Sequence, residues 1–337
     1  MYVKNLMEKV FKQIADFGVI MIIKERKQMA NNIKVSIVVL TYYHENYIHE
    51  ALDTILSQKA DFGYEIIVMD DCSKDNTVSI VEKYVEKFPD IVRLYSSKEN
   101  LGICKNHYKG LLKCRGEFVV VTDGDDCWID DYKLMKQASF LEQHDEFFAV
   151  ATSIQGRTTK GVLLEEIVPK EQYRGRKITR EMFLEGADVC TVGMMMRNVF
   201  KTERAKKQFS YMYKFSRDLD DVTVSMFIFD YGDVYNLSDV TYAITSRSSS
   251  DQNQHNYNSK YDYLSKDVNR IQVYSQLNRY YKGKLNLTHK FETSVTSVIA
   301  VAIRSRNPKV LKELKPVPIK YIIKAVFRWP LMKLGLI

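Results

Sequence analysis

Four short apolar runs that each stop at a polar or acidic turn constrain this chain more than anything else in it. They are 34–41 (Lys-Val-Ser-Ile-Val-Val-Leu-Thr), 64–69 (Tyr-Glu-Ile-Ile-Val-Met), 91–95 (Ile-Val-Arg-Leu-Tyr) and 118–121 (Phe-Val-Val-Val). Short runs rich in Val and Ile read as buried strands of a parallel sheet. The gaps carry helical spacing: Ile48, Leu52, Ile55 and Leu56 in the first, and Val78, Val81, Val85 and Phe88, stopped by Pro89, in the second. The third gap runs from a turn at Glu99-Asn100-Leu101-Gly102 to Cys114-Arg115-Gly116. Strand alternating with helix over 34–145 predicts a doubly wound α/β sheet.

Two of these strands end in clustered acids, Asp70-Asp71 and Asp123, Asp125 and Asp126. In one parallel sheet those ends lie along the edge where open α/β sheets hold ligands. Carboxylates this close repel one another, and a hard divalent cation such as Mg²⁺ or Mn²⁺ relieves the repulsion. Gly124 lets the backbone bend between them. Taken alone, D-x-D-D also fits an acidic strand-to-helix turn with Asp as N-cap, and Ser73, Asp75, Asn76 and Thr77 read as caps of the second helix. Neither G-x-x-x-x-G-K-[ST] nor G-x-G-x-x-G occurs, which argues against a glycine-rich phosphate loop and leaves a metal as the expected phosphate anchor.

Beyond residue 150 the periodicity loosens. Residues 153–181 read as a loop or hairpin insertion, and Met194, Met195 and Met196 as core packing. Ser216-Arg217-Asp218-Leu219-Asp220-Asp221 leads into an apolar helix that ends near Gly232. Acids at a helix start cap it and complement its dipole; one aimed into a cleft is also placed to act as a general base. Residues 240–256 read as a Ser-rich loop and 261–304 as helical.

At 337 residues with 45% hydrophobic and 27% charged residues, the chain has the composition of a soluble globular protein. Its net charge of +8 gathers near the ends, in Lys24-Glu25-Arg26-Lys27 and over 309–333. That distribution suits an anionic membrane surface, and no basic stripe in the body points to nucleic acid. Five cysteines without a C-x-x-C pair indicate neither a disulfide framework nor zinc, as expected in a reducing cytoplasm. No run approaches the ~18 apolar residues of a membrane span, and no signal peptide is expected. Residues 1–28 fit either an amphipathic helix, with Leu6, Val10, Ile14, Phe17 and Met21 at helical spacing, or upstream sequence before a start at Met29.

The four landmarks in order, the strand 34–41 with Tyr42-Tyr43, Ile-Ile-Val-Met-Asp-Asp-Cys-Ser-Lys-Asp-Asn-Thr, Asn-Leu-Gly, and Val-Thr-Asp-Gly-Asp-Asp-Cys-Trp, resemble those of family 2 glycosyltransferases with the GT-A fold. The similarity is strong over about the first 110 residues of the catalytic region and weaker to about residue 250, where residues 186–200 resemble the family strand that follows the D-x-D and floors the acceptor site. It implies a Rossmann-like, mostly parallel sheet flanked by helices, a mixed second half and a helical C-terminal extension. The expected organisation is an appendage at 1–32, a GT-A unit at 33–257 with a nucleotide-binding half (33–145) and an acceptor half (146–257), and an extension at 258–337.

The resemblance further implies that Thr41 and Tyr43 line a nucleotide pocket and that Asp71, with Asp70 beside it, addresses the base. Asp123 and Asp125 are then the metal-and-ribose D-x-D, with Asp126 adjoining. Family members carry an acidic pair about eleven residues before a Gly, and counting back from Gly232 selects Asp221, with Asp220 next to it and Asp218 as the outsider. Arg247 falls where the family commonly has a His and is a candidate diphosphate contact; His255 is a more distant substitute. The implied activity is an inverting transfer of sugar from a nucleoside-diphosphate donor, UDP-linked, to a glycan or lipid-linked glycan in surface polysaccharide synthesis. Mn²⁺ or Mg²⁺ is the expected cofactor. The tail over 315–333, which interleaves Ile, Val, Phe and Trp with Lys and Arg, fits peripheral contact with the inner face of the cell membrane or a helix docked on its own domain. Competing readings are a sugar-nucleotide nucleotidyltransferase, although the turn after the first strand lacks its glycine-rich loop, and a catalytically silent membrane-associated binding protein.

Overall fold

The computed structural model describes residues 32–219, 221–246 and 263–304, and beyond them 306, 307, 311, 312, 314, 315, 317–324 and 326. The helix considered for residues 1–28 and the tail from 327 onward lie outside the described residues. The four expected strands form as β1 (Ile33–Thr41), β2 (Gly63–Asp70), β3 (Val92–Ser96) and β4 (Phe118–Asp123), with α1 (Ile48–Leu56), α2 (Thr77–Lys87) and α3 (Ile103–Leu111) in the gaps. All four are parallel, in the order β3-β2-β1-β4. Successive side chains point to opposite faces. Val35, Ile37 and Val39 of β1 pack with Ile48, Leu52 and Ile55 of α1, while Val38 and Leu40 join Cys104 and Leu111 of α3. Both faces are therefore covered, which explains runs with no polar alternation. Burying each such Val, Leu or Ile contributes roughly 1.5–3 kcal/mol.

The same sheet continues through the second half. After β5 (Cys127–Trp128) and α4 (Lys133–Gln143) come β6 (Phe147–Thr158), β7 (Leu163–Val168), β8 (Arg176–Ile178), α5 (Arg180–Leu184) and β9 (Met195–Arg197). Then follow α6 (Glu203–Phe209), α7 (Tyr211–Phe215), α8 (Asp221–Ile228) and β10 (Asp233–Ser246). The full order is β3-β2-β1-β4-β9-β6-β10-β5, with β7 beside β6 and β8 beside β10. Strand β9 is antiparallel to both β4 and β6, so the sheet is mixed from that point, as expected.

Three boundaries differ from the sequence reading. Residues 153–158 are the outer end of β6, and its hairpin with β7 accounts for the next part of the expected insertion. Residues 240–246 are strand, not loop, because Thr241, Tyr242, Ala243 and Thr245 are buried, with the hydroxyls of Thr241 and Tyr242 bonded to Thr152 and Asp126. Within 186–200 only Met195–Arg197 is strand, although Met194, Met195 and Met196 are buried as expected. The C-terminal helices α9 (Tyr263–Tyr280) and α10 (Thr288–Arg304) place Leu277, Phe291 and Val295 in the same core as Phe209 and Phe227. No helix among the described residues is long and apolar enough to cross a membrane.

Lys133 opens α4 yet is 0% exposed, its Nζ donating to Gly193 O (2.5 Å) and Gln137 Oε1 (2.8 Å) above the Trp128 ring. Burial lowers its pKa to about 7, whereas the unfolded amine titrates near its ordinary ~10.4. The folded chain thus binds fewer protons than the unfolded one between those values, so stability rises with pH across that window and is lost as pH falls toward 7. Denaturant titrations should show that Lys133→Met removes a gain of roughly 2 kcal/mol between pH 7 and 9 relative to wild type. Parallel pH profiles for the two proteins would contradict this.

Candidate active site

Strand register brings the first set of predicted residues together. Thr41 pairs with Asp70 across β1 and β2, and Leu40 with Asp123 across β1 and β4, so hydroxyl and acids stand side by side at one edge. Thr41 is 2% exposed, and its Oγ1 finds no hydrogen-bond partner among the described residues. Asp70 accepts from the backbone N–H of Cys72 and Ser73 (both 3.1 Å) and from the Ser96 hydroxyl (2.8 Å), an arrangement that fixes the turn after β2. Tyr43 adopts φ +57° and its N–H donates to Ser73 Oγ, which docks the turn after β1 onto the turn after β2.

Asp71 is clamped by the Asn-Leu-Gly turn: its two carboxylate oxygens accept from Leu101 N (2.7 Å) and Gly102 N (2.9 Å). Burial raises its pKa while those two N–H groups oppose the rise. Gly102 has φ +84°, and a Cβ there would lie 2.5 Å from Arg217 Cγ. Because Cys104 N also donates to Arg217 O (3.2 Å), the segment leading into α8 is bolted to the same turn that holds Asp71.

The acid loop after β4 is packed tightly. Gly124 N donates to Leu40 O, and a Cβ at Gly124 would lie 2.8 Å from Ile48 Cδ1. A side chain at this position would press on Ile48, His44 and the Leu40 carbonyl, a packing role beyond the bend that the sequence predicts. Asp123, Asp125 and Asp126 each present a ligand atom, all within 4.8 Å of one another. Asp126 is 4% exposed; it accepts from Tyr242 Oη (3.0 Å) and Thr245 N (2.8 Å). Its pKa is pushed well above the ordinary carboxylate range, by burial first and then by Asp125 and Asp123. An all-oxygen donor set held in mutual repulsion fits a hard divalent cation.

Several supporting residues escaped the sequence reading because β10 did. The Thr245 hydroxyl donates to Asp125 O and accepts from Arg157 Nε (2.9 Å), and the Arg157 guanidinium pairs with Glu50 through two bonds of 2.6 and 2.9 Å. Thr122 Oγ1 and Tyr242 Oη are 2.8 Å apart. His44 Nε2 lies 3.8 Å from Asp125 Oδ1. The alternation Thr241, Ala243, Thr245 was the available signal for a strand.

A cavity of about 480 Å³ opens between the loop 186–192, the start of α8 and the C-terminal helices α9 and α10. Gly193 N donates to Val121 O (2.8 Å), which ties that loop to β4 two residues before Asp123. Asp221 is exposed and lines the cavity, whereas Asp218 is not in its lining. Asp220, Arg247 and His255 lie outside the described residues. A larger hollow of about 590 Å³ sits beside Lys34, Arg115 and Lys201 at the opposite ends of the strands, away from all of these groups.

A profile of the family described as "Glycosyl transferase family 2" matches residues 36–204. An uncharacterized protein of Mycobacterium bovis is 39% identical over 111 residues, 33% of this chain and 32% of that protein. The poly(ribitol-phosphate) beta-N-acetylglucosaminyltransferase TarS of Staphylococcus aureus is 34% identical over 143 residues, 41% of this chain and 24% of that protein. The chain thus spans about a third or less of the length of these relatives. The structure of S. aureus TarS 1–349 in complex with UDP-GlcNAc superposes with a TM-score of 0.57 at 21% identity, covering 89% of this chain and 81% of that one. The mannosyltransferase PcManGT of Pyrobaculum calidifontis, in complex with GDP-Man and Mn²⁺, gives 0.50 at 16% identity, covering 90% and 88%. The fold is that of these glycosyltransferases.

Proposed function

From the premise that this chain belongs to glycosyl transferase family 2, we propose that it is an inverting glycosyltransferase. It moves a sugar from a nucleoside-diphosphate donor, UDP-linked, to a hydroxyl of a glycan or lipid-linked glycan in cell-surface polymer synthesis. The observation that carries the proposal is one of placement. The acids of β2 and β4 gather at one edge of the sheet, and the loop that lines the cavity with Asp221 is tied to β4 by Gly193 N and Val121 O, two residues before Asp123.

In this reading Thr41, Tyr43 and Asp71 receive the base and ribose, and Asp70 holds the turn that shapes their pocket. Asp123 and Asp125 hold Mn²⁺ or Mg²⁺, with Asp126 anchoring the loop through Tyr242 and Thr245. A divalent ion bound there supplies Lewis-acid neutralisation of the departing diphosphate. Asp221, or its neighbour Asp220, takes the proton of the acceptor hydroxyl as that oxygen attacks the anomeric carbon and the bond to diphosphate breaks, with inversion. Arg247 is assigned to the diphosphate. The test is incubation with UDP-, GDP-, dTDP- and CDP-sugars and Mn²⁺, measuring nucleoside diphosphate release. Slow hydrolysis of one donor is expected; none at all would leave a catalytically silent binding protein.

We also propose peripheral contact with an anionic membrane. Around the helical stretch 319–324, Ile319, Ile323 and Val326 are more than half exposed and lie beside Lys320 and Lys324. The protein should co-sediment with vesicles containing phosphatidylglycerol and not with pure phosphatidylcholine, and Ile319→Asp with Ile323→Asp should lower that binding at least ~10-fold. Unchanged sedimentation of the double variant would refute it.

A further inference from the structure

The cavity beside Asp221 is walled on one side by the C-terminal helices, which no family landmark covers. Helix α9 contributes Asp267 and Arg270, and α10 contributes His289 and Lys290, to a lining that also includes Asp188 and Asp221. The fit between the walls is close. Gly186 has φ +108°, and a Cβ there would lie 2.7 Å from His289 Nε2, so the loop and helix α10 are in direct contact through His289.

The charges in this cavity are unequally matched. Arg270 pairs with Asp267 at 3.3 Å. Lys290 Nζ sits 4.0 Å from the centre of the Phe183 ring, and among the described residues no carboxylate lies within ion-pair distance of it. Burial lowers its pKa to about 8, a depression that Arg270 deepens and Asp188 and Asp221 oppose. A half-buried ammonium held on an aromatic face, in a space open to solvent and next to a second cation, is an incomplete anion site. Asp188, Asp221, Thr293 and Ser294, all in the lining, are the donors and acceptors that hydroxyl groups need.

We infer that the acceptor is an anionic sugar or polyol whose phosphate or carboxylate is bound by Lys290 and Arg270 while its hydroxyls meet Asp188 and Asp221. This rests on the glycosyltransferase reading and names the acceptor class for it. It makes the C-terminal helices a specificity element: they select acceptors by charge, while the sheet edge handles the donor.

The test uses the full chain and ligand-observed NMR titrations with glycerol 3-phosphate, glucuronate, glycerol and glucose, with UDP, GDP, dTDP and CDP titrated on the same samples in Mn²⁺. At least one anionic probe should bind 10-fold or more tightly than its neutral counterpart, and phosphate against glucuronate tells which anion is read. Lys290→Gln should raise its Kd at least 10-fold, Lys290→Arg should retain it, and UDP affinity should not change. Should Lys290→Gln fail to fold, Arg270→Gln, whose side chain is 43% exposed, is read the same way. Equal binding of charged and neutral probes, or a Kd within twofold of wild type in the Gln variant, overturns the inference. Absent binding of UDP, GDP, dTDP and CDP alike, alongside intact anion binding, would instead overturn the glycosyltransferase reading and leave the anion site standing.

Discussion

Asp221→Asn is expected to slow glycosyl transfer by ~10²–10⁴-fold while nucleotide affinity stays unchanged, because the amide cannot accept the proton that the attacking hydroxyl must lose. The loss belongs in kcat, since the same shape still fills the site. The fold should tolerate the change: Asp221 is exposed, and the helix it opens is anchored by Val222, Val224, Met226 and Phe227, all buried. Steady-state kinetics on the best donor, with a thermal melt as control, checks it. Full turnover would move the base to Asp220 or Asp218.

Asp125→Asn should remove the metal-dependent part of nucleotide affinity, at least ~100-fold or about 2.7 kcal/mol, while the protein stays folded. Asp125 is half-buried in a cluster of three acids, so losing one charge eases their repulsion and should not destabilise the loop. A carboxamide is a weaker ligand for a hard cation than a carboxylate. The loop keeps its form through Gly124 N to Leu40 O and through Thr245, whose bond goes to the Asp125 carbonyl rather than its side chain. Titration of nucleoside diphosphate with and without Mn²⁺ reads the effect. Equal affinity of variant and wild type in Mn²⁺ would remove Asp125 from the metal site.

The parallel half of the fold was legible because β1, β2 and β4 are buried on both faces and therefore spelled in Val and Ile, with amphipathic helices between. The acids at its edge were legible because strand ends of a parallel sheet share one side. What the sequence concealed lies where polar residues are buried by specific pairing. Thr241, Tyr242 and Thr245 read as loop, yet they form strand β10 because Thr152, Asp126 and Asp125 satisfy their hydroxyls. Arg157 read as part of a polar insertion, yet it is 6% exposed and matched by Glu50 from a helix 107 residues earlier. Lys290 gave no signal, since only the packing of α10 against Phe183 and Gly186 brings it to the cavity. The alternation of Thr241, Ala243 and Thr245 hints at a strand, but the partners themselves, far apart in sequence, leave no local pattern to read.

Calorimetric titration of UDP, GDP, dTDP and CDP into the protein, with and without Mn²⁺, tests the central claim most directly. One nucleotide, expected to be UDP, should bind tightly in Mn²⁺ and at least ~100-fold more weakly without it. Absence of binding by all four, or binding indifferent to the metal, would contradict a donor site built on Asp123 and Asp125.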